Sequence, residues 1–393
     1  MNEAPAPGTF LFASESVSEG HPDKLCDRVA DAVLDACLQD SEARVSCEAC
    51  SKTGMVMVLG EVLTKASVNF EQVIREAVRT VGYDSDDKGL DWRTMNVIVA
   101  LDEHSPDLLQ VISTSAAGRP VEDIGVDDQG VVFGYASDES PELMPMSHVL
   151  ATRLSAGFDK ARKEGLIPWA RPDARAKVVV EYKQAADGSV VPLRIHSVAM
   201  TTPPMSDTAP EQVEKDLMEH VVKPSLPEKF CDSRTSYSLV PPKQAAIGSV
   251  CSDTGVSGKK IGADTYGGWG SFGDSISGKD ASKLSRSAAY GARWAARSLV
   301  SSKLCKRCVV QLSYSPGVVE PVSVHVTSFG TAEACGRTDA GLVDILLKNF
   351  DFRPGALQKE LGLKAPVFQK LSAHGHFGRG DIDAAWEVSK ELK

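Results

Sequence analysis

One arrangement recurs three times along this chain and restricts its fold more than any single motif. Apolar periodicity predicts a helix from Pro22 to about Gln39, with Leu25, Val29, Val33 and Cys37 on one face and Asp27, Asp31 and Asp35 on another. A strand hairpin follows, Arg44 to Cys50 and Met55 to Thr64, joined through Lys52-Thr53-Gly54. A second helix runs from about Phe70 to Val81, with Asn69 and Gln72 as a capping pair and Gly82 as the stop. The middle third repeats this order. A helix from about His148 to Lys163 precedes a hairpin of Lys177 to Lys183 and Val190 to Met200, turned by Asp187-Gly188. A helix from about Glu211 to Val222 then stops at Pro224. The last third has a helix from about Ser285 to Val300, a hairpin of Cys308 to Tyr314 and Val322 to Phe329, and a helix from about Ala340 to Phe350. The hairpins start roughly 130 residues apart.

This pattern predicts an α+β fold of three pseudo-symmetric domains, each a mixed or antiparallel sheet covered on one face by helices. The expected boundaries are 10–112, 128–247 and 248–383, with a mobile loop region at 113–127. The whole stretch from Glu103 to Asp128 is rich in Ser, Gly and Asp, and reads either as a lid or as a plain surface loop. Met55 to Val58 is apolar on both strand faces, which predicts sheet-to-sheet packing between subunits and an obligate oligomer.

The net charge of −10 argues against nucleic acid as a main partner, while leaving room for a local basic pocket. No apolar run reaches the length of a membrane span, and the polar, Pro-rich MNEAPAPGTF lacks the pattern of a signal peptide. Cys47–Cys50 and Cys305–Cys308 have C-x-x-C spacing, but the first pair falls on a predicted strand, where its ends point to opposite faces. Free thiols in a cytoplasmic protein are the better reading.

The chemistry concentrates in a few segments. In Glu15-Ser16-Val17-Ser18-Glu19-Gly20-His21-Pro22-Asp23-Lys24, Pro22 suits the first position of a helix whose free N–H groups attract phosphate. There Lys24 adds a point charge, Asp23 suits a divalent cation, and His21 can donate to a leaving oxygen. Trp169-Ala170-Arg171-Pro172-Asp173-Ala174-Arg175 mixes an aromatic, an acid and guanidinium groups before a strand. Ser252 to Lys260 is a Gly/Ser loop ending in Lys259 and Lys260, without Walker spacing, and Ser277-Gly278-Lys279 leads to Lys283. Lys24, Lys259, Lys260, Lys279 and Lys283 on an acidic chain suggest a triphosphate site; a solvated basic face is the alternative.

The string SESVSEGHPDK resembles the N-terminal signature of S-adenosylmethionine synthetases. CEACSKTGMVMVLGE, HSPDLLQ, DDQGVVFGYASDE, WARPDAR, DTGVSGKKIGADTYGGWG, SGKDASK, RSAAYGARW and GHFGR are similar to further segments of that family. The resemblance implies three α+β domains, dimers or tetramers with sites between subunits, and a reaction joining ATP to L-methionine. It also implies two Mg²⁺ and one K⁺. By this resemblance His21 assists departure of the triphosphate, Asp23 binds Mg²⁺, and Glu48 binds K⁺. Glu61, Lys283 and Gln110, the last from the mobile loop, hold methionine. Asp173, Arg175 and Ser275 contact ATP, Lys24, Lys259, Lys260 and Lys279 line the polyphosphate, and Asp253 lies between the substrates.

The chain departs from that family at the site. Where the family has N-P-[ST]-G-R-F, this sequence reads Val240-Pro241-Pro242-Lys243-Gln244-Ala245, so the adenine-stacking aromatic is Ala245 and the arginine is Gln244. Stacking is worth about 0.5–1.5 kcal/mol beyond burial, so ATP affinity is expected to fall. The glycine-rich loop is one residue shorter, with Asp274 where phosphate should pass, and Ser285 replaces a metal-ligand carboxylate. Two readings follow: a working synthetase with altered substrate handling, or a weakly active regulatory paralogue that pairs with an ordinary synthetase subunit.

Overall fold

The computed structural model describes residues 7–103, 128–204, 208–239, 250 and 253–393. Gln110, Gln244, Ala245 and the expected loop region 113–127 lie outside them. The strands are β1 (Thr9–Val17), β2 (Arg44–Lys52), β3 (Met55–Leu63), β4 (Asp84–Ser85), β5 (Leu90–Asp91), β6 (Asn96–Glu103), β7 (Gly130–Ser137), β8 (Arg175–Gln184), β9 (Val190–Thr201), β10 (Ser236–Ser238), β11 (Gly255–Val256), β12 (Arg307–Tyr314) and β13 (Ser323–Thr327). The helices are α1 (Pro22–Cys37), α2 (Phe70–Val81), α3 (Met146–Lys163), α4 (Pro210–Leu217), α5 (Ile261–Asp264), α6 (Leu284–Ser301), α7 (Asp339–Asn349), α8 (Pro354–Glu360) and α9 (Phe368–Leu371).

All three expected hairpins form, as β2–β3, β8–β9 and β12–β13. Each is completed by a strand from a different third of the chain. β11 pairs antiparallel with β2, β1 with β8, and β7 with β12. On the far side, β6 adds in parallel to β3 and β10 in parallel to β9. The fold is therefore α+β with three related sheets, but the sheets exchange strands in a cycle around the molecule.

Burial follows the sequence periods. β2 alternates buried and accessible residues along its length, and Leu25, Val29, Val33 and Cys37 of α1 are fully buried. α1 packs on β2, α2 and α9, α3 packs on β1 and β8, and α6 packs on β7 and β12. Two apolar clusters result. The larger joins the first and third sheets through α1 and α6; the smaller fills the central sheet beneath α3. Trp269 packs against both.

One helix end differs from expectation. Pro224 does not stop the helix at Val222; the chain passes from α4 through a π-turn at Met218–Val222 into a final turn at Lys223–Ser225. A proline ring clashes with the carbonyl four residues back, and the wider π-turn makes room for it. No helix among the described residues is long and apolar enough to cross a membrane.

Candidate active site

The site is built along the free edge of β2. Gly255 and Val256 pair with Ser51 and Cys50, and the Ser257 N–H donates to the Ala49 carbonyl at 2.9 Å. Further along, the Cys47 N–H donates to the Gly278 carbonyl at 2.9 Å, and Lys279 bridges to Ser46. Both Gly-Lys loops are thus fixed to one strand edge, over a length of roughly 17 Å.

At one end stands His21, the N-cap of α1. Its Nδ1 accepts the Asp23 N–H at 3.2 Å. A ring nitrogen that accepts carries no proton, so the neutral imidazole is protonated at Nε2. That buried Nε2 has no protein hydrogen-bond partner among the described residues. Burial, reinforced by the charges of Arg175 and Lys260, pushes the His21 pKa down to about 3. His21 is consequently a neutral N–H donor with its donor unused.

Asp23 Oδ1 accepts the Val256 N–H at 3.0 Å, and its Oδ2 faces the Lys260 ammonium at 3.0 Å. That ammonium occupies a cation position on the carboxylate. A single carboxylate with phosphate oxygens and water suits Mg²⁺, so Asp23 fits that ion as a one-carboxylate contributor. Arg175 donates to Asp253 Oδ2 at 3.2 Å, and both residues are exposed. Asp253 Oδ1 also receives the Thr254 N–H at 2.8 Å. Lys259 is exposed, and Asp173 is buried, with its carbonyl accepting the Thr202 hydroxyl at 2.9 Å.

At the other end is a cavity of about 410 Å³ whose lining includes Glu48, Asp274, Lys279, Lys283 and Ser285. Lys279 Nζ donates to the Ser275 carbonyl at 2.9 Å, and Lys283 is the N-cap residue of α6. Asp274 and Ser285, both departures from the family pattern, line this cavity together. Glu61 is exposed on β3, opposite Ser46 and beyond Leu59, the partner of Glu48.

Lys24, expected from the resemblance to line the polyphosphate, lies in the interior. It is 1% exposed and bridges Asp27 at 3.0 Å and Asp264. Burial alone would lower its pKa, but Asp264 and Asp27 overcome burial and hold it above the ordinary lysine value. Its ammonium is held by these two interior carboxylates. Among the described residues no group of three or more His, Cys, Asp or Glu side chains is placed to hold a metal.

Sequence reasoning missed the acids beneath the loops. Asp27, Asp31 and Asp264 are buried, as is Arg286. For Asp27 and Asp31 the signal is the i, i+4 acidic stripe on a helix whose opposite stripe is apolar; nothing in the sequence signals Asp264 or Arg286.

Two lysine-bearing loops and a neutral buried histidine lie along one strand edge of an α+β protein built from three strand-exchanged sheets. Family models for the S-adenosylmethionine synthetase N-terminal, central and C-terminal domains match residues 9–106, 123–245 and 247–388. The chain belongs to the S-adenosylmethionine synthetase family.

Proposed function

We propose that this chain is a working synthetase that forms S-adenosylmethionine from ATP and L-methionine and releases diphosphate and phosphate. The observation that carries this reading is the unpartnered, neutral Nε2–H of His21 beside Lys260 and Arg175. In the reaction the methionine sulfur forms a bond to C5′ of the ribose. The C5′–O5′ bond breaks, and its electron pair leaves with the triphosphate. His21 donates a hydrogen bond to the departing oxygen without transferring its proton. Lys259, Lys260 and Lys279 set a positive field along the path of the leaving group, and Glu61, Lys283 and Gln110 orient methionine. Asp173, Arg175 and Ser275 position the nucleotide, and Asp253 lies between the substrates. A thioether sulfur needs no base, so the work is alignment and charge stabilisation. Water then cleaves the triphosphate. Asp23 would hold Mg²⁺ and Glu48 would hold K⁺, which would supply further neutralisation of the polyphosphate.

The accessible outer face of the first sheet, with Leu59 and Ile98 about two-fifths exposed, supports a homodimer or homotetramer. Light scattering on the purified chain tests this; a monomer at working concentration rejects it. The thiols of the eight described cysteines are all free, which supports a cytoplasmic setting.

The regulatory reading draws on one observation, the presence of Asp274 and Ser285 in the cavity with Lys279 and Lys283. The deciding experiment is formation of S-adenosylmethionine and phosphate by the purified chain with ATP, L-methionine, Mg²⁺ and K⁺. Steady turnover establishes the synthetase. Its absence from a folded, oligomeric sample rejects the working synthetase and favours the regulatory alternative, to be sought with a partner subunit.

A further inference from the structure

The face of α1 opposite its apolar stripe makes three similar contacts on successive turns. Asp23 receives the Val256 N–H at 3.0 Å and the Lys260 ammonium at 3.0 Å. Asp27 receives the Gly258 N–H at 2.8 Å and the Lys24 ammonium at 3.0 Å. Asp31 receives the Gly278 N–H at 2.8 Å and the Arg286 guanidinium at 2.7 Å. Each acid therefore takes one loop N–H and one cation. Asp27 and Asp31, with their cations Lys24 and Arg286, are essentially excluded from solvent.

The two glycines belong to different loops, yet the loops touch. A Cβ added at Gly258 would meet the Ser275 Cβ at 2.6 Å, and one at Gly278 would meet the Cys47 carbonyl oxygen at 2.0 Å. Both glycines have positive φ, +81° and +76°. Arg286 closes the unit by donating from Nε to the Lys279 carbonyl at 2.9 Å. Residues four apart on a helix lie roughly 6 Å apart, so α1 sets the distance between the two loops.

We propose that Asp27 and Asp31 are positioning residues for the lysine-bearing loops: each clamps one loop to α1 through a glycine N–H, fixing Lys259 and Lys260 relative to Lys279. This rests on the reading of those lysines as a polyphosphate site. A carboxylate is required rather than an amide, because charged acceptors hold N–H donors about twice as strongly. The carboxylate also neutralises Lys24 or Arg286. The clamp explains why a helix buried on nearly all sides carries acids at i, i+4 spacing.

Hydrogen exchange on the full-length protein reads the clamp directly, and Mg²⁺ with inorganic tripolyphosphate is the binding probe. Asp31→Asn is expected to speed exchange of the 275–280 amides about tenfold, and Asp27→Asn that of the 255–260 amides, with β8 unchanged. Both substitutions weaken tripolyphosphate binding by about tenfold. Asp35→Asn is the control: Asp35 accepts the Phe368 and Gln369 N–H groups instead, each at 3.0 Å. It should loosen 366–371 and leave tripolyphosphate affinity unchanged. If Asp31→Asn does not fold, Asp27→Asn decides the matter, since Lys24 keeps Asp264. Unchanged exchange in a folded variant overturns the clamp. Faster exchange with undiminished tripolyphosphate binding overturns the positioning role. If the variants show the exchange pattern but wild-type protein binds no tripolyphosphate, the synthetase reading falls and takes the positioning role with it.

Discussion

His21 shows how burial selects a chemical role for a residue that is ambiguous in sequence. Held near a pKa of about 3 by burial and by Arg175 and Lys260, it stays neutral throughout the physiological range. In the proposed reaction it would therefore act as a fixed dipole rather than a proton shuttle. His21→Ala is expected to lower kcat by about 10²–10³, the loss typical of one preorganised donor. His21→Asn keeps an N–H donor and should recover part of that loss, and the kcat pH profile should show no histidine ionisation between pH 5 and 9; kcat measured across that range checks both. Protonation of Asp35 has the opposite sign. Burial raises its pKa to about 6 from 3.8, against the pull of the Gln369 and Phe368 N–H groups. Between those values the folded state binds more protons than the unfolded, so stability falls as pH rises through that window. Below pH 3.8 the effect is absent, and above pH 6 it is complete. The stability of Asp35→Asn relative to wild type should thus improve by about 3 kcal/mol from pH 3.5 to pH 7.5, whatever its starting offset. Denaturant titrations at the two pH values check this, and a difference that shrinks with pH refutes the assignment.

At the scale of elements, the loop carrying Lys279 tolerates little change at Gly278. Its φ of +76° disfavours any side chain, and a Cβ would sit 2.0 Å from the Cys47 carbonyl oxygen, a backbone atom with no freedom to swing away. Gly278→Ala should destabilise by about 2 kcal/mol or more in denaturant unfolding. A change below about 0.5 kcal/mol would mean that the loop is not bound to β2. Elements of this kind divide sharply in how they read from sequence. The hairpins and α1, α2, α3, α6 and α7 were legible within a few residues, because their apolar period and caps are local; the Asn69 side chain does accept the Gln72 N–H, and Gly82 does adopt the left-handed conformation. β1, β6, β7, β10 and β11 were not legible. Three of them, β1, β7 and β11, pair with residues more than a hundred positions away, and nothing local to Gly255-Val256 announces Ser51 and Cys50. The site divides similarly. His21, Asp23 and Lys260 were legible from spacing and resemblance, and the structure brings them together. The ion pairing of Lys24 was not, because only the fold reveals that Asp264 lies beside it.

The cyclic exchange of strands governs behaviour at the scale of the whole molecule. The segment matched by the N-terminal family model, 9–106, gives β1 to the central sheet and borrows β11 from the last third. β1 pairs with β8 over its full length, from Thr9↔Lys183 to Val17↔Arg175. No third of the chain can leave the folded state without removing a strand from one neighbour and stripping its own sheet of another. Asp31–Arg286 and Arg293–Glu387 add buried ion pairs, the first of them joining the first and last thirds, and a buried charge left without its partner is strongly destabilising. A chain of this length with three independent domains would melt in stages. This one should instead unfold in a single transition, with far-UV circular dichroism coincident with the fluorescence of tryptophans spread from Trp92 to Trp386. A fragment ending at residue 106 should remain unfolded, since its β1 would face solvent with unpaired backbone and its first sheet would lack β11. Two resolved transitions, or a folded fragment, would show that the exchanged strands do not couple the sheets. The clamp of α1 on both lysine loops would then have to be explained without support from the assembled core.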